Sequence, residues 1–272
     1  MEHTLAETGL RLRYLRDAQL IANIDQGRIL EDLAGGGIDD IALPWRGDFD
    51  LSGKDHVVLA TLGSDGRHVG LLTARDFATP REPFLLFDAA YVAPAARGHN
   101  LLQRMITFAV LRIGAIDMVP RVLVACSQSA ACRRGLGELT QHFTGSKRFP
   151  AVDTTVVDLD MAALARRIAR VVRPGLAYAA GSGMFYRPML AGAVVAGGVT
   201  RFGRYTAAGA EDGAQALMVL DFAGADDDTI LQDARRLYRA RSRRRNPRLE
   251  FVDGAAATPA FVRHPVRDAT KR

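Results

Sequence analysis

Apolar and polar residues alternate over Leu10–Leu15 and then recur at helical spacing over 19–33, which predicts a strand followed by a helix. Gly35-Gly36-Gly37 ends that helix, because three successive glycines lose too much backbone freedom to prolong it. HVVLATLG (56–63) and HVGLLTARDF (68–77) flank Ser64-Asp65-Gly66-Arg67, two β-rich runs around a turn that predict an antiparallel hairpin. A third strand is predicted over Phe84–Val92. Next, Leu101–Ile116 sets Leu102, Met105, Ile106, Ala109 and Ile113 near one helix face, Pro120 stops the helix, and residues 121–126 read as a buried strand. Beyond this the pattern predicts helices over 130–143, 161–172 and 229–241, and strands over 154–159, 192–202 and 216–222. Residues 38–50, with Pro44 and Trp45, read as a connecting segment.

Composition narrows the class. With 272 residues, 48% hydrophobic and 24% charged, the chain can bury a core as one large domain or two modest ones. Cys126 and Cys132 are its only cysteines, too few for a disulfide framework or a metal cluster; a reducing cytoplasm and no metal are the expectation. The charged N-terminus lacks the apolar stretch of a signal peptide, and the least polar run, 189–199, is too short and glycine-rich to span a bilayer. The formal charge is +6, and much of the positive charge falls at Arg235-Arg236, over 239–248 and at Lys271-Arg272. Such a surface attracts phosphates on a cofactor, a membrane or a nucleic acid. Aromatic residues do not interleave with those arginines, so a solvated helix end and tail is the favoured reading and a nucleic-acid partner the weaker one.

Candidate chemistry gathers where Phe84–Val92 runs through Ala93-Pro94 and Arg97-Gly98-His99-Asn100 into the helix at Leu101. The first N–H groups of a helix lack intrahelical partners, and the helix dipole adds partial positive charge there, which suits phosphate. Arg97 adds a full charge and a donor fork. Gly98 permits close backbone approach, and Asn100 is of the type that best tolerates positive φ after glycine. Leu102 either crowds such a ligand or points into the core. On the other reading the same residues are an ordinary strand-to-helix turn.

This order of strand, helix, three-strand meander, helix, strand, helix and strand, with Val92-x-Pro94-x-x-Arg97-Gly98-x-Asn100 at the junction, resembles the GCN5-related N-acetyltransferase (GNAT) superfamily over about residues 10–160. The resemblance implies an α/β (α+β) fold, a mixed, mainly antiparallel central sheet flanked by helices. It implies acetyl-CoA or another acyl-CoA as co-substrate, held by the loop of Arg97, Gly98, His99, Asn100, Leu101 and Leu102. It also implies that the strands around the junction splay, so that the pantetheine arm meets the backbone of Ala90, Val92 and Ala93. Asn100 and Leu102 depart from the small residues of the family loop, and Arg133 stands where the family places a tyrosine acid.

In such a reaction an amine attacks the thioester, and a base and an acid assist. Asp88, in an otherwise apolar strand, is the candidate base or else the partner of an arginine. Ser127 is a candidate hydrogen-bond donor to the departing thiolate or else, with Ser129, a helix cap. Cys126 and Cys132 read as small core residues rather than acyl acceptors. Asp76 reads as a strand-end residue. The expectation is an N-acyltransferase acting on a small-molecule or protein amine, with a homodimer left open; the alternative is a GNAT-fold module that senses acyl-CoA or binds protein. Domain limits are expected at 1–160 for the acyl-CoA domain, 161–245 for an extension that completes the fold or shapes the acceptor site, and 246–272 for a basic tail.

Overall fold

The computed structural model describes residues 2–5, 9–16, 18–35, 51–63, 65–79, 82–93, 96, 97, 99–127, 130–150, 158–180, 183–186, 215–222 and 224–243. The connecting segment at 38–50, the expected strand at 192–202 and the tail at 246–272 lie outside these residues.

Leu10, Leu12 and Tyr14 turn into the core while Arg11 and Arg13 stay exposed, which is the alternation of a half-covered strand. This strand, β2 (Leu10–Leu15), lies between β1 (Glu2–Leu5), which the hydropathy pattern did not predict, and β3 (His56–Leu62). β4 (Arg67–Phe77) and β5 (Phe84–Val92) complete an antiparallel run. β6 (Val122–Ser127) then pairs parallel with β5. The next strand in space is β10 (Gln215–Asp221), far away in sequence and antiparallel to β6. Its other edge takes β7 (Lys147–Phe149) at one end and β9 (Met184–Tyr186) at the other, and β8 (Ala177–Ala179) pairs with β9. The protein is thus a mixed α/β fold whose mainly antiparallel sheet contains one parallel pair among the described strands.

Helices cover both faces. α2 (Gln26–Gly35), α3 (Leu101–Ile116), α4 (Ala130–Thr140) and α6 (Asp227–Arg243) enclose the larger core, with Ile29, Met105, Leu136 and Leu237 among its members. α5 (Leu159–Val172) covers the opposite face through Met161, Leu164, Ala165, Ile168, Ala169 and Val172, one stripe at helical spacing. The single helix expected over 19–33 is divided into α1 (Ala18–Ala22) and α2, because Asp25 Oδ1 accepts from the N–H of Arg28 at 2.9 Å and starts a new helix. The strand expected over 154–159 is likewise corrected at its end: Asp158 accepts from the N–H groups of Asp160 and Met161, so Leu159 begins α5. Residues 151–157 lie outside the described set.

Asp32 fastens α2 to β4, accepting from the backbone N–H of His68 at 3.0 Å and from its ring Nδ1–H at 2.6 Å. Burial raises this carboxyl, but the two His68 donors and then Arg28 outweigh it and hold it below 3.8. A depressed carboxylate stabilises the fold above its unfolded value, and that contribution disappears as pH falls through the lower folded value. Urea unfolding of wild type should therefore weaken between about pH 5 and pH 3, the carboxylate range, and Asp32→Asn should remove part of that slope.

Candidate functional site

Three successive pairs join β5 to β6: Leu85 to Leu123, Leu86 to Val124 and Phe87 to Ala125. There the pairing stops. β5 continues to Val92 along β4 alone, while Cys126 and Ser127 continue along β10. The separation begins at an irregularity in the β4–β5 ladder, where Thr73 faces Ala89 and Ala74 faces Phe87, so that Asp88 is the extra residue. A bulge of this kind bends its strand. The result is an opening walled by 88–92 on one side and by Cys126 and Ser127 on the other, with backbone groups of β5 facing it. The β5–β6 pairing thus ends before Ala90, Val92 and Ala93, the positions named from the resemblance; Ala93 turns its N–H back to Val69 O at 2.9 Å.

α3 begins at the head of this opening. Asn100 adopts φ 57° and ψ 26°, the one left-handed non-glycine among the described residues, and its side chain makes no capping hydrogen bond. Left-handed backbone is costly for most side chains and cheapest for Gly and Asn, which suits asparagine to this position. Leu101 is buried, and Leu102 is partly buried against the core, where its Cδ2 lies 3.5 Å from the position a Cβ on Gly135 of α4 would take. Leu102 therefore takes the core alternative and does not crowd the loop. Exposed Arg97 reaches back with Nε to Val92 O at 3.3 Å, leaving the rest of its donor fork beside the opening. Because a carbonyl can only accept, the 2.8 Å contact between His99 Nδ1 and Arg97 O makes Nδ1 the protonated nitrogen. Gly98 lies outside the described residues.

The start of α3 is held rigidly. Gln103, buried in its first turn, donates from Nε2 to Gly135 O and to Glu138 Oε2, both at 3.0 Å, which ties it to α4. Beneath it Gly70, paired with Val92, lets the helix approach the sheet: a Cβ there would lie 3.1 Å from Met105 Sδ and 3.2 Å from Leu101 Cδ2. Gly70→Val is expected to cost about 2 kcal/mol through overpacking, seen in the urea midpoint, and to displace the first turn of α3.

Asp88 is the ion-pair partner rather than an isolated carboxylate: Lys54 Nζ lies 2.6 Å and Arg75 Nε 3.0 Å from Oδ2, and Thr73 donates to Oδ1. Two donors, Lys54 and Thr73, and the neighbouring Arg75 charge thus hold Asp88 at the bend in β5. Ser127 is the last residue of β6, paired in register with Ala216 and buried, so it is not the residue preceding α4; Ser129 lies outside the described residues. Cys126 faces the α5 side, and burial pushes its thiol up to about 12, which removes it as a nucleophile at neutral pH. Of Cys132 and Arg133 only the backbone position on α4 is described. Asp76 sits near the end of β4, accepting from His56 Nε2–H at 2.9 Å, while Tyr14 donates to His56 Nδ1 at 2.7 Å.

One residue went unnoticed in the sequence. Tyr178 on β8 packs beside Phe185 with ring centroids 5.1 Å apart, and its hydroxyl is buried with no hydrogen-bond partner among the described residues. Burial first, and then the neighbouring Cys126, raise it above its ordinary 10.0. A buried phenol normally finds a partner, so one with none among the described residues, within electrostatic reach of Cys126, stands out. Nothing in Leu-Ala-Tyr-Ala-Ala (176–180) announces this, because its neighbours across the sheet come from distant parts of the chain.

No protein-family model matches the chain, and no curated protein matches it. Solved structures do. The chain is similar to the diaminobutyrate acetyltransferase EctA of Paenibacillus lautus in complex with L-2,4-diaminobutyric acid and coenzyme A, at 20% identity over 50% of this chain and 80% of that one, with TM-score 0.32. It is similar to a putative acyl-CoA N-acyltransferase of Klebsiella pneumoniae, at 13% identity over 54% and 89%, with TM-score 0.33. A third is an aminoglycoside N-acetyltransferase in complex with coenzyme A, at 18% identity over 40% and 71%, with TM-score 0.26. The described strand order and the parallel β5–β6 pair form the mixed, mainly antiparallel sheet that the sequence led one to expect.

Proposed function

We propose that this chain is a divergent GNAT-superfamily protein that binds an acyl-CoA in the β5–β6 opening and transfers the acyl group to an amine. The observation that carries this reading is the end of parallel pairing at Phe87 and Ala125, on the strand that leads into the uncapped, left-handed start of α3. The edge of β5 beyond its last pair with β6 suits the amides of a pantetheine arm, since an extended ligand can pair with a strand edge. The first turn of α3 and the guanidinium of Arg97 suit the pyrophosphate. The Tyr178 hydroxyl is the proposed proton donor to the departing thiolate. Asp88, through Lys54, Arg75 and Thr73, is proposed to hold the bend that opens the site.

Calorimetric titration with coenzyme A and acetyl-CoA tests this. Wild type is expected to bind both, and Arg97→Ala to bind about tenfold to a hundredfold more weakly, the loss of a hydrogen-bonded charge. Absence of binding at high micromolar ligand would sink the proposal. A second reading, acyl-CoA sensing without turnover, is favoured by the engagement of Asp88 in ion pairs. Thiol release over a panel of amines separates the two: release supports transfer, and binding without release supports sensing.

A further inference from the structure

The arginines of α5 take no part in the reaction proposed above. The buried stripe of this helix runs from Met161 to Val172, and Arg166, Arg167, Arg170 and Arg173 fall outside it. At about 100° per residue, Arg167 lies on one side of that stripe, and Arg166 and Arg173, seven positions apart, lie on the other. Arg167 is bound to Glu82 at the entry to β5. Because the sheet runs from β5 through β6 and β10 to β9 and β8, the side carrying Arg166 and Arg173 is turned towards β9 and β8.

The chain closes on this side. Arg173 caps α5, and its carbonyl accepts from the N–H of Leu176 at 3.2 Å, in a turn that leads directly into β8. Tyr178 follows on that strand, opposite Phe185 of β9. Cys126 stands opposite Leu217 of β10, and both it and Tyr178 pack against the core that α5 covers. The charge of Arg173 reaches Cys126, and that of Arg166 reaches Tyr178. Arg173 Nε is buried and, like the Tyr178 hydroxyl, has no hydrogen-bond partner among the described residues. A buried N–H donor calls for an acceptor. We propose that Arg173 is the acceptor-binding residue of the transferase, its guanidinium holding a carboxylate on the attacking amine, so that the acceptors are amines that carry a carboxylate, amino acids among them. This rests on the acyl-CoA reading of the β5–β6 opening.

Three features select this class. The planar donor fork of arginine matches the two oxygens of a carboxylate. A polycationic amine would instead meet two guanidiniums of like charge, and like-charge contacts weigh against a partner. The phosphates of coenzyme A do not compete for Arg173, because α3 and its first turn belong to the larger core and α5 covers the opposite face of the sheet. The C-terminal end of α5 adds roughly half a negative charge near Arg173, less than the full positive charge of the guanidinium.

Paired acceptors test the proposal on the full chain. Isothermal titration of the coenzyme A-loaded protein with glycine, L-leucine, L-lysine and L-phenylalanine, each beside its carboxamide, reads binding, and thiol release from acetyl-CoA reads kcat/KM. At least one free acid is expected to bind and react about tenfold better than its amide, the share of a charge-assisted hydrogen bond. Arg173→Gln should bring that ratio to about one, mainly through KM, and Arg173→Lys should keep part of it. Arg170→Gln, exposed on the same helix, should keep all of it. The melting temperature and coenzyme A affinity of Arg173→Gln are expected to match wild type. Amides as good as acids in wild type, an unchanged ratio in Arg173→Gln, no binding of any of the four acids at millimolar concentration, or a preference for spermidine or O-phosphoethanolamine over all four would each overturn it. Coenzyme A titration on the same preparations reports on the acyl-CoA reading by itself, which stands if coenzyme A binds while acids and amides do not differ.

Discussion

Tyr178→Phe is expected to lower turnover about a hundredfold while leaving coenzyme A affinity unchanged and making the protein more stable by up to about 1 kcal/mol. The two halves of this result have one cause. A buried hydroxyl with no partner among the described residues has lost its hydrogen bonds to water without one there to replace them, so its removal relieves a penalty. In the proposed reaction the same hydroxyl proton would go to the departing thiolate. Because burial raises the Tyr178 pKa above 10.0, the phenol stays protonated across the neutral range, and no loss of activity there should trace to it. Its folded-state value is raised, so the stability linked to it is complete below about pH 10 and is lost as pH rises through the folded value. Phenylalanine should abolish that alkaline loss. Steady-state thiol release with a reactive amine, isothermal titration and thermal melts measure the three quantities. Unchanged turnover in the phenylalanine variant would show that the hydroxyl takes no part.

Asp88→Asn is expected to destabilise the protein by about 2–3 kcal/mol and to change turnover per folded molecule by less than about tenfold. Asn retains an acceptor for Thr73 but leaves Lys54 and Arg75 without their shared counter-charge at a site where Asp88 is only 9% exposed. A general base predicts the reverse pattern: a collapse of activity of about 10² to 10⁴ with little change in stability, and loss of the acid limb of the pH–rate profile. Urea unfolding together with turnover corrected for folded fraction distinguishes them. Weaker coenzyme A binding by the folded variant would additionally tie the bend at Asp88 to the width of the opening.

Local pattern made much of the fold legible. Leu10–Leu15, Phe84–Val92 and Leu101–Ile116 form elements with the limits their hydropathy predicts, because each is long, strongly periodic and bounded by breakers. Legibility ended where a single polar side chain competed with periodicity: Asp25 and Asp158 each start a helix at a place the apolar pattern alone does not mark. Short edge strands such as β1 and β8 carry too few residues for a period to emerge. The junction residues were readable as phosphate ligands from type and order, and the left-handed backbone of Asn100 agrees with the reason for tolerating asparagine there.

The alternatives at the site were of another kind. Asp88 meets Lys54, Thr73 and Arg75 because a three-strand meander and a bulge bring them together, and no spacing along the chain encodes that meeting. Tyr178 approaches Cys126 across β10 and β9, whose pairing joins segments distant in sequence. Amino-acid order by itself determined the strands, the helices, the arginine run and the phosphate-suited junction, since each depends on periodicity, backbone preference or charge within a few residues. Only the tertiary structure decided that β5 and β6 pair at three positions, that Asp88 meets Lys54, Arg75 and Thr73, and that the Tyr178 hydroxyl has no hydrogen-bond partner among the described residues. Those outcomes depend on which distant segments pack together, and packing is settled by the whole core at once.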